Sequence, residues 1–384
     1  MRILLIAVCL MTGAAMVATQ GQDGGQSLAT AIDQLVSFDY DTRTAAARTV
    51  RRTPAAQAIP ALAAAARSHQ DGYVRYRALV LLAGFGEASA GATMRALMGD
   101  PNDRVRAVVY AWYERHPSRE VSPVLIAALE TERSEFVRPA LTRALAAAHD
   151  DPAVRAAVQP LITQGEDFFR GTVIEALGDY GAAWAAPLIA DVARLDGPLQ
   201  DDAITALGKL GDRSMLPVLA SLQTSAPRDT QPSLAAATCL ITRACAPHED
   251  YLRKTLVFAA GDSQYQSLLR NTGFSLAVLA ARGSASALTA LLDVAEPATD
   301  PARAALALAT GHVALRNPIV VLDVLEGRAT RTAALAVLRD AFDMLNEDFE
   351  EERFFVDVRR AYWAAPEGSP RRAAAQALID ALEF

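Results

Sequence analysis

The sequence repeats itself about every 32 residues, and that period restricts the fold more than any other feature. Asp71-Gly-Tyr-Val-Arg75, Asp103-Arg-Val-Arg106, Glu135-Phe-Val-Arg138 and Asp167-Phe-Phe-Arg170 each place an acidic residue three or four positions before an arginine. The arginines are 31, 32 and 32 residues apart, and Asp300-Pro-Ala-Arg303 repeats the pattern further on. After each of the first four, apolar residues fall at +3 and +7: Ala78 and Leu82, Val109 and Tyr113, Leu141 and Leu145, Val173 and Leu177. That is helical spacing. Gly86 and Gly181 come eleven residues after their arginines, and Gly211 and Gly283 occupy matching places. Glycine accepts the left-handed conformation that ends helices, so each of these helices is expected to stop there.

A second helix is expected in each unit, marked by an early proline beside an apolar residue: Pro60, Pro123, Pro160, Pro187 and Pro217. Proline inside a helix costs about 3 kcal/mol, and its recurrence at one phase predicts a bend common to the units. The unit is thus an antiparallel helix pair. About eleven pairs fit from residue 27 to the end, with looser register around 225–275 and after 313. The array is expected over 27–340 and a divergent repeat or cap over 341–384. Alanine is about a fifth of the chain and aromatics only 6%, which suits closely stacked helices and argues against an all-β fold. One pair cannot bury both faces, but stacked pairs share a continuous core. The expected fold is all-α, a right-handed α-solenoid.

The acidic-x-Val-Arg pattern, the helix-ending glycines and the Pro-x-Leu of the first helices resemble HEAT repeats, particularly the short HEAT-like repeats also seen in bilin lyases. The resemblance covers about 27–312 well and 313–384 weakly. It implies a superhelical scaffold, without a cofactor, that holds a protein or peptide partner on its curved face. Catalysis is the exception among such families.

Residues 1–20 have the layout of a secretory signal peptide: Arg2, an apolar run from Ile3 to Val17, then small and polar residues. The run is short for a membrane span of about 20 residues, so cleavage is expected between Ala18 and Gln20, and Cys9 leaves with it. The mature protein is expected to be periplasmic or secreted. In an oxidising compartment the remaining pair, Cys239 and Cys245, suggests a disulfide. At a separation of six on one straight helix the two are about 9 Å apart along the axis, so a bond requires the helix to end near Thr242 and the chain to fold back.

The ladder Arg75, Arg106, Arg138, Arg170 and Arg303 reads as internal to the stack. Its acidic residues cap helix N-termini, and its arginines reach those acids or carbonyls of the next unit. Tyr73, Tyr76, Tyr110, Trp112 and Tyr113 concentrate aromatics on two adjacent helices, and the first four are the candidate contact surface. The tail 346–363 joins an acidic run to clustered aromatics, with Phe354, Val358 and Tyr362 on one helical face. It is expected to cap the stack, with docking of a partner or a second copy as the alternative. The five histidines are scattered, and no HExxH, CxxC or GxSxG occurs, so neither a metal nor a catalytic constellation is expected. All but Lys209 and Lys254 of the 37 basic residues are arginine, yet the net charge is −7, which argues against a nucleic-acid partner. Two alternatives to the scaffold remain, a lyase-type enzyme acting on a small molecule and a HEAT-like nucleic-acid binder.

Overall fold

The computed structural model describes residues 28–345 and 348–384. The expected signal segment and its cleavage point lie outside them. Among the described residues there is no strand, and helices follow one another in antiparallel pairs. Ala55–Ser68 precedes Gly72–Gly84, Glu87–Ala96 precedes Asp103–Arg115, and Ser122–Thr131 precedes Val137–Ala147. The alternation runs on to Asp348–Ala364 and Pro370–Leu382. With the helix that opens the described chain and Tyr40–Arg52, the pairs number eleven. The expected boundary at 340/341 falls inside the helix Arg331–Met344, and the last pair begins at Asp348.

Local chemistry explains where the helices start and stop. The carboxylate of Asp71 accepts hydrogen bonds from the backbone N–H groups of Tyr73 and Val74, and the Asn102 side chain does the same for Arg104 and Val105. These are orphan donors of a first turn. Gly181 and Gly211 turn the chain at φ +71° and +72° just past their helices, where a side chain would be strained. The prolines do not produce the expected bend. Pro123, Pro187 and Pro217 lie in the first turn of an α-helix, where the missing N–H is one that has no partner anyway. Before Pro187 and Pro217 a single 3₁₀ turn, Ala183–Ala185 and Arg213–Met215, introduces the helix. Pro60 alone of the five lies inside an α-helix, while Pro160 sits in the 3₁₀ segment Gln159–Ile162.

The second helices of successive pairs stack on one another and carry most of the core, with Leu79, Leu82, Leu141, Leu145, Ile174 and Leu177 fully buried. Their approach is set by glycine. A Cβ on Gly178 would lie 2.8 Å from the Ala206 Cα, and one on Gly208 would lie 2.5 Å from the Ala237 Cα. The backbones therefore cross at a separation that no larger residue permits. Such close crossings draw the second helices inward and bend the row sharply.

The row closes on itself, and here the structure departs from the expected free cap. The helix Asp348–Ala364 packs against Gly72–Gly84. Phe349 joins the apolar core of the N-terminal half, while Phe354 and Val358 complete that of the C-terminal half. The acidic run of the tail faces the N-terminal units instead of solvent. Among the described residues no single helix is long and apolar enough to cross a membrane.

Gly208→Ala is expected to destabilise the protein by about 1–3 kcal/mol, the usual cost of overpacking. Gly91→Ala, where an added Cβ meets nothing within 4 Å, should gain about 0.5–1 kcal/mol of helix stability. Urea unfolding of the two variants checks the contrast. Equal effects would show that the glycine crossings are not tight.

Candidate functional site

Each ladder arginine lies near the start of a second helix, and the contacts of all but Arg170 hold one unit to the next. Arg75 donates to Asp100 through Nε and Nη2 at 3.2 and 3.0 Å, and Nη1 donates to the His69 carbonyl. Arg106 repeats this with Glu132 at 2.8 and 3.0 Å and with the Asp100 carbonyl. Arg303 donates to Asp340 at 2.7 Å and to the Ala295 carbonyl. The carbonyls belong to the preceding turn of the same pair and not to the next unit, while the carboxylates come from further along the chain. Arg170 bonds the nearby Asp167 and the Ile162 carbonyl. Arg138 lies over the Phe169 ring at 4.2 Å, with its buried Nε unbonded. The acids paired with Arg75 and Arg106 come 25 and 26 residues later. At that distance from Arg138 stand Thr163 and Gln164, which carry no charge.

The aromatic contact surface expected from the sequence does not exist as a surface. Tyr76, Tyr110, Trp112 and Tyr113 are all buried, because second helices are covered by both neighbouring units. Tyr73 is half-buried; its hydroxyl accepts from Arg77 at 2.9 Å. The Tyr76 hydroxyl donates to the Asp348 carboxylate, so it belongs to the seam between the two ends. Arg77 pairs with Asp348 at 3.2 Å, Arg51 with Glu352 at 2.5 Å, and Arg115 with Glu350 at 2.9 Å. Glu352 is 3% exposed and also accepts from Arg359.

Cys239 and Cys245 are bonded, with Cα atoms 4.5 Å apart. The helix Gln231–Thr242 ends between them, and Arg243 at φ +62° turns the chain back.

The sequence reading missed a cluster of charge at the middle of the inner face. Glu114, Arg143, Glu175, Asp179, Lys209 and Arg316 come from five second helices and meet there. Arg143 contacts Glu114 at 2.9 Å, Asp179 at 3.0 Å and Glu175 at 3.8 Å. Lys209, with its side chain 5% exposed, reaches Asp179 at 2.8 Å. Arg316 arrives from the far half of the chain, 3.5 Å from Asp179 and 3.9 Å from Glu175. The Tyr180 hydroxyl donates to Glu114 at 2.6 Å. Burial pushes the Asp179 carboxyl up, but Lys209, Arg316 and Arg143 outweigh it and hold Asp179 well below the carboxylate range. Asp202 stands at the edge of this cluster without such help. Burial, then the charges of Glu175 and Asp201, push its pKa up to about 6. His312 is driven down to about 4 by burial and by Arg316, so its ring is neutral at pH 7.

A column of the repeat pointed to this region. Nine residues after the successive ladder arginines stand Gly84, Arg115, Ala147, Asp179 and, after Arg303, His312. Four of these line the cluster or the seam. Lys209, one of two lysines in the chain, lies within the apolar last turn Leu207-Gly-Lys-Leu210 of its helix. Among the described residues no group of three or more His, Cys, Asp or Glu side chains is placed to hold a metal ion.

The family model for HEAT repeats matches residues 28–112, and over that stretch the chain is similar to the family. Similar solved structures include E. coli YibA, at 19% identity and TM-score 0.42, covering 59% of this chain and 83% of that one. Kap121p bound to Nup53p is similar at 12% identity and TM-score 0.44, over 94% of this chain and 50% of that one. The complex of CpcE and CpcF of phycocyanin lyase from Nostoc sp. is similar at 18% identity and TM-score 0.28, over 88% and 100%. No curated protein matches the sequence.

Asp202 gives a pH test. In the unfolded chain it ionises near 3.8, and in the folded protein near 6. Between these values the folded state holds a proton that the unfolded state has lost, so rising pH favours unfolding. Asp202→Asn removes that penalty. Its stability gain over the wild type should be near zero at pH 4 and should grow through pH 6 to at most about 3 kcal/mol, at about 1.4 kcal/mol per pKa unit. Thermal unfolding across this range reads the difference, and a gain independent of pH would contradict the assignment.

Proposed function

We propose that the protein is an exported, non-catalytic scaffold that holds a protein or peptide partner along one edge of the closed row. The inner face is a poor candidate for a protein surface, because most of its charges are already paired with one another and with the chain's own last helices. The observation that carries the proposal is where the exposed large apolar side chains lie. Phe38, Tyr40, Phe136, Phe168, Leu195, Phe258 and Trp363 all stand at the turns from the first to the second helix of a pair. In a stack of antiparallel pairs these turns share one edge. Phe136 is 76% exposed and Trp363 73%, and exposed aromatics in a row are costly in water unless a partner covers them. Arginines accompany three of them, with Arg43 by Tyr40, Arg228 by Phe258 and Arg372 by Trp363. Apolar anchors ringed by guanidinium groups suit a protein surface that has its own carboxylates.

Export is part of the same reading. The signal-like first residues support it, as does the bond between Cys239 and Cys245, since such bonds persist outside the cytoplasm. The alternation of acids and bases on the inner face does not favour a nucleic-acid groove, which needs a continuous basic stripe.

A photo-crosslinking residue placed at Phe168 should capture a protein from envelope or culture fractions, while one placed at Val124, exposed near the start of a first helix on the opposite edge, should not. Capture from Val124 alone, or from neither position, would count against the edge as the binding surface. Recovery of the protein only in the cytosol would count against export.

A further inference from the structure

We infer that the cavity beside the ionic cluster is a binding site for a small, multiply charged oxyanion of the phosphate class. The cavity has a volume of about 190 Å³, and its wall includes Arg115, Asp179, Lys209, Arg282, His312 and Arg316. Four cations thus face it, against one carboxylate.

The donors on this wall are not all satisfied by the protein. Lys209 is paired with Asp179 at 2.8 Å. Arg316 has only longer contacts, 3.5 and 3.9 Å, to Asp179 and Glu175. Arg115 gives one terminal nitrogen to Glu350, and its buried Nε has no acceptor. Arg282 makes no hydrogen bond or ion pair among the described residues, and neither ring nitrogen of His312 is hydrogen-bonded there. A buried donor without an acceptor, as the Arg115 Nε is, is rare and calls for an explanation.

One account of the cations is purely structural. Arg115, Lys209, Arg282 and Arg316 stand at or just past the C-terminal ends of second helices, where the helix dipole favours positive charge. That account explains why cations are present but not why four of them, from four helices, face one space with a single carboxylate on its wall, or why the buried Arg115 Nε and the Arg282 guanidinium have no acceptor among the described residues. A tetrahedral oxyanion supplies acceptors in several directions at once. Guanidinium groups match it with paired N–H donors, and lysine with a point charge. The arrangement discriminates against cations and neutral metabolites, and an apolar ligand would leave every donor unsatisfied.

Isothermal titration of the full chain with inorganic phosphate, and separately with glycerol phosphate, against chloride at equal ionic strength tests the site. Arg282→Ala is the informative variant, because Arg282 is exposed and holds no other side chain in place. Saturable binding of either phosphate is expected. Arg282→Ala should weaken it about tenfold, the effect of losing a charge-assisted hydrogen bond, with an unchanged melting temperature in phosphate-free buffer. Arg95→Ala, at an exposed position away from the cavity, should bind as the wild type does. Which of the two titrants binds distinguishes a site for the free anion from one for an ester. Absence of saturable heat with both at millimolar concentration overturns the inference. So does wild-type affinity in Arg282→Ala.

Discussion

The second helices lie as close together as they do because the residues at their crossings have little or no side chain. Gly178 against Ala206 and Gly208 against Ala237 bring backbones within van der Waals contact. The units that meet at these two crossings are narrowed on their inner side by this approach. The wedge accumulates along the chain. Units two apart then touch, as Tyr180 does with Glu114 and Asn271 with Asp201. After eleven pairs the last helices meet the first.

That curvature decides the fate of the inner charges. On a gently curved array they would face water. Here they face one another, and several are nearly sealed. Burying ion pairs is not an economical way to stabilise a protein, since apolar side chains of similar volume often do as well or better. Removing one member is another matter, because its partner is left charged and dry. The cluster around Arg143 and Asp179 therefore acts mainly to fix position. Arg316 ties the far half of the row to the near half at one place, and the seam of Arg51, Arg77 and Arg115 with Glu352, Asp348 and Glu350 ties them at another.

Much of the architecture was legible in the repeat itself. The glycine stops and the apolar positions at +3 and +7 are local features that recur along the chain, so an array of about eleven pairs followed from the sequence. Of the ladder acids only Asp71 is the cap expected of it, Asn102 taking that place in the next unit and the helices of Arg138, Arg170 and Arg303 starting without a side-chain cap. The proline bend failed for a local reason too. Sequence spacing could not tell a proline inside a helix from one in the first turn after a 3₁₀ start, as at Pro187 and Pro217. The contact surface failed for a different reason. Tyr76 and Trp112 were read as features of their own helices, but their burial depends on neighbours above and below and, for Tyr76, on Asp348 at 272 residues' separation. The ionic cluster was hidden in the same way. An aspartate or lysine in the last turn of its helix, as Asp179 and Lys209 are, looks like a surface charge until curvature brings five helices together, and the degree of curvature is set by side-chain volumes at crossings that no periodic pattern announces.

Arrays of this kind ordinarily grow and come apart from neighbour to neighbour, and their outermost members are the first to fray. Contacts such as Arg51 with Glu352 and Arg48 with Glu383, 301 and 335 residues apart, change that order. They form only when every intervening member is in place, and they add the entropic cost of closing a very long loop. Once made, they leave the two outermost pairs sheltering each other. Loss of structure at either extremity then has to begin by parting this junction, so a chain built from short-range pieces comes to share the all-or-none character of a globular domain.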